Sequence, residues 1–139
     1  MVSFGQLSLI LGSLIILSGL FWNSYQDYEE KNKILTARET LAKGFPRVAR
    51  FQSLGLREET KLTNDECNLL LAIDSALKDI EALKLNAEKC LYSGHTENPN
   101  PYLALSIALD SEKKDDLAQK VLLSAIEKVK DRKSTRLNS

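Results

Sequence analysis

Few residues in this chain could do chemistry, and their spacing limits what that chemistry could be. There is one histidine, His95, and there are two cysteines, Cys67 and Cys90. A zinc site needs four donors at short spacing, and this set does not supply them. The cysteines lie 23 residues apart, which is about 35 Å along a continuous helix, whereas a disulfide requires Cα atoms within about 7 Å. Unless the helix breaks they cannot pair, so free buried thiols suited to a reducing compartment are the expectation. His95 stands in the loop-like SGHTENPNP with no nucleophile beside it, and is expected to be solvated. The adjacent carboxylates Glu58-Glu59 and Asp115-Asp116 fall at expected helix starts, where acids complement the positive end of the helix dipole. No glycine-rich phosphate loop, HExxH, GxSxG or CxxC occurs. Asn98 and Asn100 each precede proline and so cannot accept a glycan. The residues thus predict no catalysis, no cofactor and no metal.

The elements that carry these residues are organised around the front of the chain. From Met1 to Gln26 there is no Asp, Glu, Lys, Arg or His. The apolar run from Phe4 to Trp22 is long enough, as an α-helix, to cross a hydrocarbon core of roughly 30 Å. It lacks the basic flank and small-residue cleavage site of a removable signal peptide, which makes it a retained anchor over residues 1–26. Trp22, Tyr25 and Tyr28 sit at its exit end, where amphipathic rings favour the headgroup layer. Gly5, Ser8, Gly12 and Gly19 fall on one stripe at spacings of three, four and seven. Small residues let helices pack closely in lipid, so a second transmembrane helix or self-association could use that stripe. Glycine is also common in membrane helices for no such reason.

The formal net charge of zero hides a strong asymmetry. Asp27, Glu29 and Glu30 precede a basic stretch, Lys31 to Arg57, with seven bases against Glu39 alone. Residues 58–130 are acidic again, with fourteen acids against nine bases. Lys31, Lys33 and Arg38 lie within about 20 residues of the span, and the N-terminal flank has none. By the positive-inside rule the body then faces the cytoplasm. Lys43, Arg47 and Arg50 are interleaved with Val48 and Phe51 close to the anchor. They suit anionic lipid headgroups, or a merely solvated short helix, better than nucleic acid.

Residues 27–60 read as a basic connector with short helices. A polar helix runs to Lys43 and stops at Gly44-Phe45-Pro46. Residues 61–130 read as a helical domain. Thr63-Asn64-Asp65-Glu66 has the form of a capping box, and no Gly or Pro intervenes between Arg57 and Ser93. One helix over about 63–92 is predicted, with Leu70, Ile73 and Leu77 on its apolar stripe and Gly94 beyond its end.

Residues 101–130 carry the most specific pattern. Tyr102, Leu105, Ser106 and Leu109 are followed by Ala118, Leu122 and Ala125 in large and small alternation. In these positions the chain resembles the helix-turn-helix unit of the tetratricopeptide repeat family. The resemblance implies two antiparallel helices, seated by Ala118 and Ala125, with Leu105, Leu109 and Leu122 in the seam. Lys113-Lys114-Asp115 replaces the usual glycine turn, Lys130 stands where a proline would close the unit, and residues 63–91 do not align as a second copy. The final DRKSTRLNS, residues 131–139, resembles the translation of a sequencing-library adapter and is set aside as a non-native tail.

The sequence therefore predicts an all-α chain, with one N-terminal transmembrane helix followed by a small helical-hairpin, tetratricopeptide-like domain. Its expected role is that of a single-pass membrane scaffold or adaptor, in contact with membrane lipid and a partner protein. The stripe Leu70, Ile73, Leu77, Tyr102, Leu105, Leu109 and Leu122 is expected either in the core or at the partner. The layout also resembles the ends of bacterial O-antigen polymerases and oligosaccharide ligases. That resemblance implies a different identity, the last span and helical tail of a multi-pass enzyme.

Overall fold

The computed structural model describes residues 3–137, and among them every regular element is a helix. The chain divides into two compact units, residues up to Leu35 and residues from Thr36 on. Helix α1 (Phe4–Ala42) makes up the first unit and contributes its last turns to the second. From Phe4 to Trp22 its large apolar side chains are at least half exposed, so nothing in this unit covers them. It is long and apolar enough to cross a bilayer. The charged turns that follow are supported locally by Lys31 with Asp27 and Lys33 with Glu29, both at i,i+4. The helix stops at the expected place. Gly44 turns left-handed at φ +86, and the amides of Gly44 and Phe45 bond the carbonyls of Leu41 and Thr40. This pair of bonds is the Schellman closure, which glycine favours because it has no Cβ to clash.

The second unit holds α2 (Pro46–Gln52), α3 (Leu54–Glu58), α4 (Asn64–Leu77), α5 (Ile80–Tyr92), α6 (Pro99–Ser111) and α7 (Asp115–Leu137). The expected single helix over residues 63–92 is two helices. Its start is as expected, since Thr63 Oγ1 accepts from the Glu66 amide at 3.3 Å while Glu66 accepts from the Thr63 amide at 2.7 Å. The break falls at Lys78, which takes a left-handed φ of +54. The amides of Lys78 and Asp79 close on the carbonyls of Ser75 and Asp74, and Asp79 then caps α5 by accepting from the Ala82 amide at 3.1 Å. With the chain reversed, Cys67 in the first turns of α4 meets Cys90 near the end of α5. Their Cα atoms are 5.7 Å apart and the sulfurs are bonded. The expectation of free thiols is thereby corrected. The continuous helix that kept them apart does not exist.

The reversal repeats 35 residues later. N-caps Thr63 and Asn98, helix starts Asn64 and Pro99, and helix starts Ile80 and Asp115 all keep this offset. The left-handed lysines Lys78 (φ +54) and Lys113 (φ +60) keep it too. Lys113 and Lys114 close on Asp110 and Leu109 just as Lys78 and Asp79 close on Ser75 and Asp74. The same register pairs Leu70 with Leu105, Leu83 with Ala118 and Cys90 with Ala125. Thus α4/α5 and α6/α7 are two hairpins of one pattern, and the bonded cysteines occupy the places of Tyr102 and Ala125.

Successive helices cover one another, α4 on α5, α5 on α6 and α6 on α7, with α4 also touching α6 and α2 lying against α4. The core runs through Leu62, Cys67, Leu70, Leu71, Leu83, Ala87, Cys90 and Ala104. Lys84 of α5 bonds Glu112 at the end of α6 at 2.7 Å and ties the two hairpins at their edge. Helix α7 continues through Lys130 to Leu137, so the adapter-like tail adopts helix as far as the described residues reach. Its Lys, Arg and Leu are good helix formers, and no Gly or Pro intervenes.

Candidate functional site

A buried polar knot fixes how the first hairpin meets the segment before it. Asp74 is wholly buried. Arg57 from α3 donates to both of its oxygens, at 2.6 and 3.2 Å, and Asn86 Nδ2 of α5 donates at 2.6 Å. Lys89 Nζ donates to the Arg57 carbonyl. Nearer the surface, Arg50 of α2 pairs with Asp79 at 2.7 Å. The Ala82 amide and this guanidinium together hold the Asp79 carboxyl below its ordinary value. The knot joins α3, α4 and α5, and each charged side chain in it has a charged or backbone partner, although the Nε of Arg57 is buried without one.

The loop before α6 is built the same way. Ser93 Oγ accepts from the Leu62 amide at 3.0 Å, and Nε2 of His95 donates to the Leu62 carbonyl. His95 is therefore half-buried and holds the chain entering α4, whereas the sequence suggested a solvated ring. Asn98 Nδ2 reaches Asn64 and Asn68 at 2.7 and 2.8 Å, and Asn100 Nδ2 reaches Asn68 at 2.9 Å. These amides latch the start of α6 to the start of α4. A shallow cleft beside them is walled by Asn64, His95, Asn98 and also Arg132, which belongs to the adapter-like tail. Among the described residues no group of His, Cys, Asp and Glu is arranged to hold a metal ion.

Most of the expected stripe lies inside the unit. Leu70 and Ile73 are fully buried, and Tyr102, Leu109, Ala118 and Ala125 are buried. Leu77 and Leu105 are half-buried, and Leu122 is 37% exposed. The apolar residues left exposed on the hairpins, besides Leu122, are others: Leu85 and Tyr92 on α5, Leu103 and Ile107 on α6, and Leu117, Leu123, Ile126 and Val129 on α7. Leu103 and Ile107 recur at four and Leu123 and Ile126 at three, spacings that pattern alone does not separate from a core stripe. Of the basic residues near the anchor, Lys43 and Arg47 are exposed while Arg50 is engaged by Asp79. Trp22, Tyr25 and Tyr28 are all more than half exposed. A Cβ added at Gly5, Gly12 or Gly19 would meet nothing within 4 Å, and Ser8 on the same stripe is exposed, so that stripe is open along its length.

The arrangement leaves an apolar helix uncovered in the first unit and apolar residues uncovered on α5, α6 and α7 of the second. No protein-family model, curated protein or solved structure matches this chain.

Proposed function

We propose that the chain is a single-pass, membrane-anchored adaptor. In this reading the front of α1 is held in lipid, with Trp22, Tyr25 and Tyr28 at the headgroup layer. The two hairpins form a tetratricopeptide-like body that docks an apolar-faced helix of a partner protein. One observation carries the reading. Helices α4, α5 and α6 each pack against the helix that follows, while α7, the last helix among the described residues, keeps Leu123 54% and Ile126 63% exposed along one flank. A flank with apolar side chains at helical spacing is what a further helix packs against, and two or three such side chains can anchor an interface.

A photo-crosslinking residue placed at Leu123 or Ile126 of the full chain in cells is expected to give one discrete adduct. The same residue at Tyr92, exposed on α5, is expected to give none. With the crosslinker at position 123, Ile126→Glu should abolish the adduct, and with it at 126, Leu123→Glu should do so, in each case leaving the unfolding midpoint unchanged because both side chains already face water. Equal labelling from all three positions would exclude this surface as the docking face.

A further inference from the structure

The chain has two cysteines in its whole length, and the fold places them against each other. Both are completely buried. Cys67 lies in the first turns of α4 and Cys90 at the end of α5, so they close the hairpin at the end opposite its Lys78 turn. A bond sealed in this way is not an exposed redox sensor, because neither a reductant nor an exchanging thiol can reach the sulfurs without opening the core. It is a structural staple, and structural disulfides form and persist where the surroundings are oxidising.

Resting on the reading of α1 as a membrane span, we infer that the helical body lies on the oxidising, extracytoplasmic side of that membrane, the reverse of what the basic flank suggests. Few charges support the cytoplasmic placement: Lys31, Lys33 and Arg38 against an N-terminal flank with no Lys or Arg. Further on, Arg50 and Arg57 serve Asp79 and Asp74 within the fold. In the oxidation step the Cys67 and Cys90 thiols together give up two protons and two electrons, forming one S–S bond. The acceptor is the disulfide of a thiol oxidase of that compartment, which is reduced to its dithiol. Because the folded pair is inaccessible, the step precedes closure of the hairpin.

The test uses the full chain in a Gram-negative bacterial host. Membranes are pelleted and washed with carbonate, acid-quenched cells are unfolded and treated with a maleimide polymer with or without prior reduction, and intact spheroplasts are exposed to protease. The expected result is a pelleted chain whose two thiols are modified only after reduction, and whose body is digested in spheroplasts. Cys90→Ala should add a single polymer without reduction. A host lacking its periplasmic thiol oxidase should accumulate the doubly modified form. A pelleted chain with both thiols free and its body protected would place the body in the cytoplasm and overturn the inference while the anchor stands. A digested body with free thiols would overturn the bond. A chain left in the supernatant would remove the anchor and this inference together.

Discussion

Asp74 has no contact with solvent, and its oxygens are taken by the Arg57 fork and the Asn86 amide. A buried pair of this kind adds little net stability over an apolar pair of equal volume, because both ions must be desolvated. Removing one partner strands the other, at a cost of about 3 to 5 kcal/mol. Arg57→Met is therefore expected to lower the unfolding free energy of the detergent-solubilised chain by about 3 kcal/mol, followed in denaturant by far-ultraviolet circular dichroism. A loss below about 1 kcal/mol, typical of surface sites, would mean that Asp74 finds water when its partner leaves. The Glu112 carboxyl behaves differently because it is open to solvent. Hydrogen bonds from Lys114 and Lys84 draw it from 4.5 down to about 2. A carboxyl lowered on folding contributes stability that is fully present above its unfolded value and disappears as pH falls through the folded one. The unfolding midpoint should accordingly drop as pH is lowered from about 4.5 towards about 2, Glu112→Gln should flatten that part of the profile, and added salt should shrink it. Asp79 shifts the same way and adds to the same slope. Lys84, raised by Glu112, contributes below its ordinary 10.5 and loses that contribution only as pH rises past the raised value.

At the scale of elements, helix ends decide the fold. Four of them close by the same two-bond reversal, at Gly44, Lys78, Gly94 and Lys113. A lysine in the left-handed region carries a clash between its Cβ and the following carbonyl that glycine avoids. Lys78→Gly should then raise the unfolding free energy by about 0.5 to 1 kcal/mol, after subtracting the larger chain entropy glycine loses on folding. A fall on that substitution, in the same denaturant assay, would mean that the lysine stem contributes packing outweighing the strain. These ends also mark what was legible in the sequence. The capping box at Thr63 and the stop at Gly44 are local signals carried by residue types that favour those conformations. The turn at Lys78 has no such signal, because lysine is a good helix former and only neighbouring Asp79, a competent N-cap, hints at a new start. Everything that depends on the turn was hidden with it: two helices instead of one, the α4/α5 hairpin and its match to α6/α7, and the meeting of Cys67 with Cys90. The contacts of Arg57 with Asp74 and of His95 with Leu62 join residues far apart in sequence, so they become visible only once the turns are in place.

At the scale of the whole molecule, the apolar front of α1 and the helical body were both legible, since charge depletion over a membrane-length run and helical spacing each survive without tertiary information. Which apolar residues would stay outside was not legible. In the hairpins Leu70 and Leu103 are the same residue type at the same kind of spacing, and only the order in which helices cover one another separates the buried one from the open one. That order follows from the 35-residue offset shared by caps, turns and helix starts. A gene built on such a period can be lengthened or shortened by one whole module with every junction kept in phase, whereas a splice of any other length would put a helix where a turn belongs. The body is thus a structure that could grow by tandem duplication, each added copy presenting a fresh outer flank.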